Sequence, residues 1–212
     1  MAKDIFEVTL NEFIDTTASD SSTPGGGSVA AVVGALGSAL VQMVGNLTTG
    51  KKKYEDVEDE VKNLLNKSSK IMSKLKDLTR ADIEYFDTFI KVLGMPKETE
   101  EQKQKRTEAI QHALKEAANT PMAIARLGIE MLSIANRMAE IGSKMVISDA
   151  GVAAYLIESS IHSALITADS NLVLIKDEKF VDNMNKEKKD LQEKAIALRK
   201  KTVEAMNRRI QS

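Results

Sequence analysis

Apolar residues recur along most of the chain at alternating steps of three and four, the spacing that places them on one face of an α-helix. The pattern is most regular over residues 55–93, where one stripe consists of Val61, Leu65, Ser68, Met72, Leu75, Thr79, Asp82, Phe86, Phe89 and Leu93. The sequence has no alternating apolar run and no Asn-Gly hairpin turn, which are the usual signals of strands. It therefore predicts an all-α protein, an up-and-down bundle of long helices.

Shorter or more charged segments complete the predicted bundle. Residues 4–19 predict a short amphipathic helix whose apolar side carries Ile5, Phe6, Leu10, Phe13 and Ile14. A largely apolar helix is predicted over 150–174, and a helix with a solvated Lys/Glu face over 178–210. We expect the last of these to cover the bundle.

Gly94 and Pro96 break the pattern in the middle of the chain. A charged helix is predicted over 99–115. Thr120 and Pro121 predict a separate start for the next helix, because proline is well placed at the first helical position. The apolar stripe of that helix continues to Met145.

The stretch 21–50 contains no charged residue, and from Ser28 to about Thr49 it reads as a helix of Ala, Val, Leu and Gly. A helix that is apolar all round usually lies inside a protein, although this length also approaches a bilayer span. Polar interruptions at Ser38, Gln42 and Asn46 favour the first interpretation. We therefore expect a buried Ala/Gly-rich helix at the centre of the bundle rather than a transmembrane segment.

Composition narrows the possible functions. The 212 residues fit one large domain, so we expect a single domain over 1–212. The net charge of −1 argues against a nucleic-acid partner, and the absence of cysteine excludes disulfides, thiolate metal sites and cysteine nucleophiles. Two histidines argue against a metal site, and the acidic N-terminal region differs from a signal peptide. We expect a cytoplasmic protein.

The loop before the apolar helix is the first candidate site. Pro24 is followed by Gly25, Gly26 and Gly27, and Ser28 is a suitable N-cap for the helix. A glycine loop that leads into a helix N-terminus offers backbone N–H groups to an anion or a polar ligand edge. The alternative is a tight turn before a buried helix, and glycine spacing alone does not separate the two.

Asp82 is the second candidate, because it is a carboxylate on an otherwise apolar stripe. Desolvation favours the neutral form of a carboxyl group, so its pKa should be raised unless a cation or several donors face it. Glu84 and Asp87 fall off the stripe. The alternative for Asp82 is a structural carboxylate bonded to a backbone group or a lysine.

Lysines follow the apolar helix directly, at Lys51, Lys52 and Lys53. Cations stabilise a helix C-terminus, which explains these lysines as well as ligand binding does. Ser148 and Asp149 precede the helix at 150–174, where Ser is a good N-cap and Asp is favourable in the first turn.

Four landmarks now stand in order along the chain: TPGGGSVAA at 23–31, TGKKKY at 49–54, Asp82 with Phe86, and SDAGVAA at 148–154. Together they resemble the cyclodeaminase/cyclohydrolase family of folate enzymes over about residues 5–210. The chain departs from the family pattern at two positions: Ser22 occupies a position where the family often has proline, and Ser143 one where asparagine is common.

The resemblance implies an all-helical homodimer that acts on a one-carbon derivative of tetrahydrofolate without a further cofactor or metal. Asp82 matches the family's catalytic acid/base. The implied substrate-binding positions are Pro24, Gly25, Gly26, Gly27, Ser28, Lys51, Lys52, Ser148, Asp149 and Asn171. We expect a methenyltetrahydrofolate cyclohydrolase, whose two lysines would hold a glutamate or polyglutamate tail. The alternatives are a formimidoyltetrahydrofolate cyclodeaminase and a non-catalytic folate-binding or adaptor bundle.

Overall fold

The computed structural model describes residues 5–212. Over these residues the chain forms α1 (Leu10–Thr17), α2 (Gly26–Asn46), α3 (Glu58–Leu93), α4 (Glu100–Ile141), α5 (Ile147–Leu172) and α6 (Glu178–Gln211). Short 3₁₀ turns, Lys52–Val57 and Lys144–Val146, lead into α3 and α5. The described residues contain no strand, so the predicted all-α class is confirmed.

The five long helices run alternately up and down, because short connections join consecutive helices. α2 packs against α3 and α5, α4 packs against α3, α5 and α6, and α6 lies along α4 and α5. The N-terminus of α2 and the C-terminus of α5 therefore share one end of the bundle, here named the upper end. The C-terminus of α2 and the N-terminus of α5 share the lower end.

Glycine allows α2 to pack closely inside the bundle. A Cβ added at Gly37 would lie 2.6 Å from Ile157 Cγ1, and one added at Gly45 would lie 2.7 Å from Leu65 Cδ2. Among the described helices only α2 has the length and hydropathy of a membrane span, and 56 % of its most apolar stretch is buried in the bundle. The prediction of burial holds for one side of α2 only, because Leu36 on the outer side is 55 % exposed.

The predicted helix start at Pro121 is wrong, since α4 continues through this residue as one helix. Pro121 lacks an N–H, and a proline inside a helix leaves the carbonyl of residue i−4 without its usual donor. That carbonyl belongs to Ala117, and it accepts a hydrogen bond from Asn171 Nδ2 on α5 at 3.2 Å. A side chain from another helix thus allows α4 to continue.

Three further predictions need correction at the ends of elements. α1 is shorter than residues 4–19, its Leu10 is 69 % exposed, and residue 4 lies outside the described residues. α4 ends before Met145, which is 85 % exposed. The stripe on α3 has its last fully buried residue at Thr79; beyond it, Asp82 and Phe89 are half-buried, and Phe86 and Leu93 are exposed.

Candidate active site

A cavity of about 240 Å³ opens at the upper end, where four helices meet; it is named the upper cavity. The first turn of α2 and the residues around Asp82 on α3 form two of its sides, and α4 and α5 form the others. Its lining includes Gly25, Gly26, Gly27, Asp82, Tyr85, Phe86, Phe89, Ala117, Thr120, Thr167, Ser170 and Asn171. Among the described residues of this lining, Asp82 supplies the single carboxylate.

The side chain of Asp82 is held against the N-terminus of α2. Ser28 Oγ donates a hydrogen bond to Asp82 Oδ2 at 2.8 Å, and the backbone N–H of Ser28 also bonds the carboxylate. Burial raises the pKa of Asp82 above its usual range, and the two hydrogen bonds from Ser28 offset part of this effect. The direction agrees with the prediction from the apolar stripe.

The prediction that Ser28 is the N-cap of α2 is wrong. The helix begins at Gly26, and Gly25 occupies the cap position. Ser28 lies in the first helical turn and is fully buried. Its hydroxyl does not cap the backbone N–H groups at the start of α2; it donates a hydrogen bond to the carboxylate of Asp82 on α3.

Gly27 provides space for that carboxylate. A Cβ added at Gly27 would lie 2.3 Å from Asp82 Oδ1 and 2.8 Å from Oδ2, which is closer than real Cβ atoms approach other atoms. The unusual backbone freedom of glycine is not used here, because Gly50 is the only described residue with a positive φ. Glycine is therefore needed at position 27 because the carboxylate of Asp82 packs directly against the Cα of Gly27.

Next to the carboxylate, the cavity has an apolar wall and a polar rim. Tyr85, Phe86 and Phe89 of α3 form the wall, and Thr167 and Asn171 of α5 form part of the rim. Sequence reasoning missed Tyr85 and Thr167 as site residues. Both could have been found by helical spacing, because Tyr85 stands three residues after Asp82 and Thr167 four residues before Asn171.

Pro24 belongs to the same region without lining the upper cavity. It borders a smaller neighbouring cavity with Phe13 and with Ile83 of α3. The predicted loop thus divides its roles: Gly25, Gly26 and Gly27 face the upper cavity, and Pro24 packs the N-terminal segment against α3.

A second cavity, of about 360 Å³, lies at the lower end and is named the lower cavity. It is lined by three lysines and by polar or apolar neighbours, namely Lys51, Lys53, Lys144, Tyr54, Ser143 and Met145. Lys51 was among the predicted site residues, whereas Lys53 and Lys144 were not. Lys52 and Ser148 are exposed and Asp149 is half-buried, and none of these three lines the lower cavity.

Tyr54 connects the lower cavity to the chain that leads into α5. Its hydroxyl oxygen accepts a hydrogen bond from the backbone N–H of Lys144 at 2.9 Å. Burial alone would raise the pKa of Tyr54. The bonds from Lys144 and Ser143 outweigh burial, together with the positive charges of Lys53 and Arg209, so the pKa lies below its usual value. The lower cavity is therefore a cationic environment.

The structure does not bring all the predicted site residues together within one chain. α2 has 21 residues, so its two ends lie about 32 Å apart at 1.5 Å per residue. Ser148 is not an N-cap either, since α5 begins at Ile147, and with Asp149 it lies at the lower end. The glycine loop, Asp82 and Asn171 form one group, and the lysines with Ser148 and Asp149 lie at the other end of the bundle.

Comparison with known proteins is consistent with this architecture. The sequence model of formiminotransferase-cyclodeaminase matches residues 9–190. A methenyltetrahydrofolate cyclohydrolase of Methylorubrum extorquens is 40 % identical over 202 residues, which cover 95 % of this chain and 97 % of that protein. A formimidoyltransferase-cyclodeaminase of Sus scrofa is 32 % identical over 171 residues; the match covers 81 % of this chain and 32 % of the longer pig protein.

The fold has a close match among solved structures. A formiminotetrahydrofolate cyclodeaminase from Thermotoga maritima superposes with a TM-score of 0.86 and 33 % sequence identity. The alignment covers 96 % of this chain and 98 % of that one, so the similarity extends over the whole bundle. Sequence and structure agree, and the chain belongs to the formiminotransferase-cyclodeaminase family of enzymes.

Proposed function

We propose that this chain hydrolyses 5,10-methenyltetrahydrofolate to 10-formyltetrahydrofolate. The observation that carries the proposal is Asp82, the single carboxylate in the described lining of the upper cavity, in a chain that matches a cyclohydrolase along nearly its whole length. The 40 % identity to that enzyme favours hydrolysis over the ammonia-releasing reaction of the more distant relatives.

The proposed chemistry uses Asp82 as a general base and then as a general acid. Water attacks the methenyl carbon, a cationic amidinium, while Asp82 accepts a proton from the attacking water. As the bond from that carbon to N5 breaks, Asp82 returns the proton to N5, and the remaining hydroxyl proton is lost to solvent when the formyl group forms on N10. A positioned acid/base group accelerates such steps by about 10²–10⁴-fold.

The setting of Asp82 suits both roles. Burial raises its pKa, which brings a carboxyl group closer to the range in which it can both accept and donate a proton near neutral pH. Its ionised form also stabilises the positive charge of the amidinium in a site of low polarity. Neither step requires a cofactor or a metal ion, and we propose that the enzyme uses none.

The walls of the upper cavity suggest how the ring system of the substrate would bind. Tyr85, Phe86 and Phe89 offer an apolar aromatic surface to the flat pterin. Gly26 and Gly27 offer the N–H groups of a first helical turn, which have no acceptor within their own helix. Asn171 adds a polar edge, although its amide already donates to Ala117.

We propose that the lower cavity binds the glutamate tail of the folate, including a polyglutamate extension. Lys51, Lys53 and Lys144 place three positive charges around it, and carboxylates are the natural partners of such a group. This assignment replaces Lys52 of the sequence-based proposal with Lys53 and Lys144, because Lys52 does not line the cavity.

A homodimer would bring the two ends into one site. α2 and α5 pack against each other, and each leaves an apolar outer face exposed, at Leu36, Met43, Leu47, Val152, Tyr155 and Ile166. The stretch 21–50 contains no charge on this face or any other. Contiguous exposed apolar surface of this kind marks an interface with another protein, and in a symmetric dimer the same patch serves both subunits.

The symmetry of such a dimer has a consequence for the site. A two-fold axis perpendicular to α2 makes the two copies of α2 antiparallel, so the lower end of one subunit lies beside the upper end of the other. The partner subunit's Lys51 would then approach the upper cavity, together with the partner's Ser148 and the partner's Asp149. We propose this arrangement because one chain alone separates these residues by the length of α2.

We further propose that the chain is a single-domain, soluble cytoplasmic enzyme that binds neither nucleic acid nor membranes. One core cluster draws on all five long helices, which supports the single domain. The near-zero net charge offers no electrostatic basis for binding nucleic acid. The apolar outer face of α2 is assigned to the dimer instead of a bilayer.

The test of the proposed function is the loss of methenyltetrahydrofolate absorbance with the purified wild-type protein. A rate well above spontaneous hydrolysis, with 10-formyltetrahydrofolate as the product, is expected. No acceleration would contradict the cyclohydrolase assignment. The same sample would then be given formiminotetrahydrofolate, and ammonia release would identify a cyclodeaminase. Folate binding without either reaction would identify a non-catalytic binding protein.

A further inference from the structure

Ser28 is fully buried, although it follows three residues that line the upper cavity. Its side chain does not line the cavity, so it does not meet a ligand there. Its hydroxyl instead donates to Asp82 Oδ2, and its backbone N–H bonds the same carboxylate. Both hydrogen-bond donors of Ser28 are therefore committed to Asp82.

Among the described residues that line the upper cavity, Asp82 has no charged partner. The lining that α2 contributes comes from a stretch without charges, and the residues that α4 and α5 contribute are uncharged: Ala117, Thr120, Thr167, Ser170 and Asn171. On α3 itself, Tyr85 is the only other titratable group of the described lining. Within the described part of the chain, Ser28 is thus the one residue whose hydrogen bonds stabilise the ionised form of this carboxylate.

The backbone of α2 restricts the carboxylate from the other side. Oδ1 lies over the Cα of Gly27, where a Cβ would overlap it. With Oδ2 bonded to Ser28 and Oδ1 over Gly27, the carboxyl plane of Asp82 has little freedom to rotate. A fixed plane gives a proton-transfer group a defined direction, which accelerates a reaction when the geometry is productive.

We propose that Ser28 is a positioning residue for the reaction: it fixes Oδ2 of Asp82, keeps the carboxylate ionised before the attack of water, and leaves Oδ1 for proton exchange with the substrate. This inference rests on the proposed role of Asp82 and assigns to Ser28 a function other than substrate binding. The consequence is a specific kinetic signature, because Ser28 acts on the reacting group without touching the ligand.

The experiment compares Ser28→Ala with the wild type over a range of pH. Loss of the hydroxyl raises the pKa of Asp82, so the acidic limb of the kcat profile moves to higher pH. A hydrogen bond to a charged group is worth about 1.5–3 kcal/mol, so kcat should fall about ten- to hundredfold, while KM changes little. An unchanged limb, or a change in KM alone, would overturn the proposal.

Two matched variants separate positioning from packing. Ser28→Cys fills the same space with a much weaker donor, so it should resemble Ser28→Ala; a return to the wild-type profile would show a packing role and contradict the proposal. Ser38→Ala removes another buried serine of α2, whose Oγ donates to the Gly34 carbonyl at 2.7 Å. It should leave the pH profile unchanged.

A readout without turnover distinguishes failure of this inference from failure of the proposed function. The carboxyl carbon of Asp82 can be titrated by ¹³C NMR, with its resonance assigned by its loss in Asp82→Asn. In Ser28→Ala the titration midpoint should move to higher pH whether or not the protein hydrolyses folate. An unmoved midpoint would overturn the inference even if the enzyme were active.

Discussion

The two ends of the helical bundle present opposite environments. At the upper end, Asp82 is the one charged residue in the described lining of the cavity, and burial raises its pKa. At the lower end, three lysines surround a tyrosine whose pKa is lowered. Both pKa shifts arise from local surroundings: desolvation raises the pKa of Asp82, whereas for Tyr54 burial is outweighed by hydrogen bonds from Lys144 and Ser143, assisted by the charges of Lys53 and Arg209, which lower its pKa.

The difference indicates a division of labour. An isolated, desolvated acid is suited to moving a proton, whereas a group of exposed or half-exposed lysines is suited to holding anionic groups. In the proposed reaction, a folate would use both ends, the upper one for proton transfer and the lower one for its glutamate tail. The following predictions test each end by itself and then their cooperation across a dimer.

Apart from replacement of Asp82 itself, the largest effect is expected for Gly27→Ala. The added methyl group overlaps both carboxylate oxygens of Asp82 and displaces the side chain from Ser28. We expect kcat to fall by about 10²-fold or more, because the acid/base group loses its alignment, while the melting temperature stays near that of the wild type. Gly94→Ala, at an exposed helix end, is the control. Wild-type kcat in Gly27→Ala would show that the close approach has no role.

At the lower end, replacement of Lys51, Lys53 and Lys144 by alanine should weaken the binding of the folate tail. Exposed charge pairs contribute about 0.2–1 kcal/mol each, so KM for a polyglutamylated substrate should rise about tenfold, with a smaller rise for the monoglutamate. Steady-state kinetics with both substrates measures the difference.

The control for that experiment removes three lysines elsewhere. Lys67, Lys70 and Lys74 line a groove between α3 and α4, away from both cavities, and their replacement changes the net charge by the same amount. An equal effect of the two triple variants would contradict a tail-binding site at the lower end.

Mixing variants tests whether the ends cooperate across subunits. Asp82→Asn keeps the lysines, and the triple lysine variant keeps Asp82. If each site combines Asp82 of one subunit with lysines of the other, a mixed dimer regains one complete site. After the subunits are unfolded together and refolded, the rate at low polyglutamylated substrate should exceed the sum of the separate rates by a few fold. A merely additive rate would place both groups in one chain's site.

A smaller effect is expected on stability from Asn171→Ala. The change leaves the Ala117 carbonyl without the donor that replaces the missing N–H of Pro121. Ala117 is half-buried and lines the upper cavity, so water can replace part of the lost bond, and the expected cost is about 0.5–1.5 kcal/mol, which urea denaturation can measure. In a Pro121→Ala background the N–H returns and the same substitution should cost less. Equal costs in the two backgrounds would refute the link.

Local patterns were enough to predict most of the fold. Steps of three and four in the apolar positions identified the long helices, and the lone acid of one stripe identified Asp82 before its surroundings were known. The same spacing could also have predicted Tyr85 and Thr167 as site residues, because each lies one helical turn from a candidate residue, Asp82 or Asn171.

The errors have a common physical origin in contacts between distant parts of the chain. The predicted break at Pro121 fails because Asn171 bonds a carbonyl 54 residues away in sequence. The predicted cap at Ser28 fails because Asp82, also 54 residues away, takes its hydroxyl. Local capping and proline rules describe what a segment prefers alone, and tertiary partners can replace the missing group.

The most direct test of the account is the methenyltetrahydrofolate assay with Asp82→Asn beside Asp87→Asn, an exposed acid on the same helix. Asp82→Asn should fold and bind the substrate with similar affinity yet lose about 10²–10⁴-fold in kcat, whereas Asp87→Asn should keep the wild-type rate. A wild-type kcat in Asp82→Asn would contradict the assignment of Asp82 as the acid/base of the upper cavity.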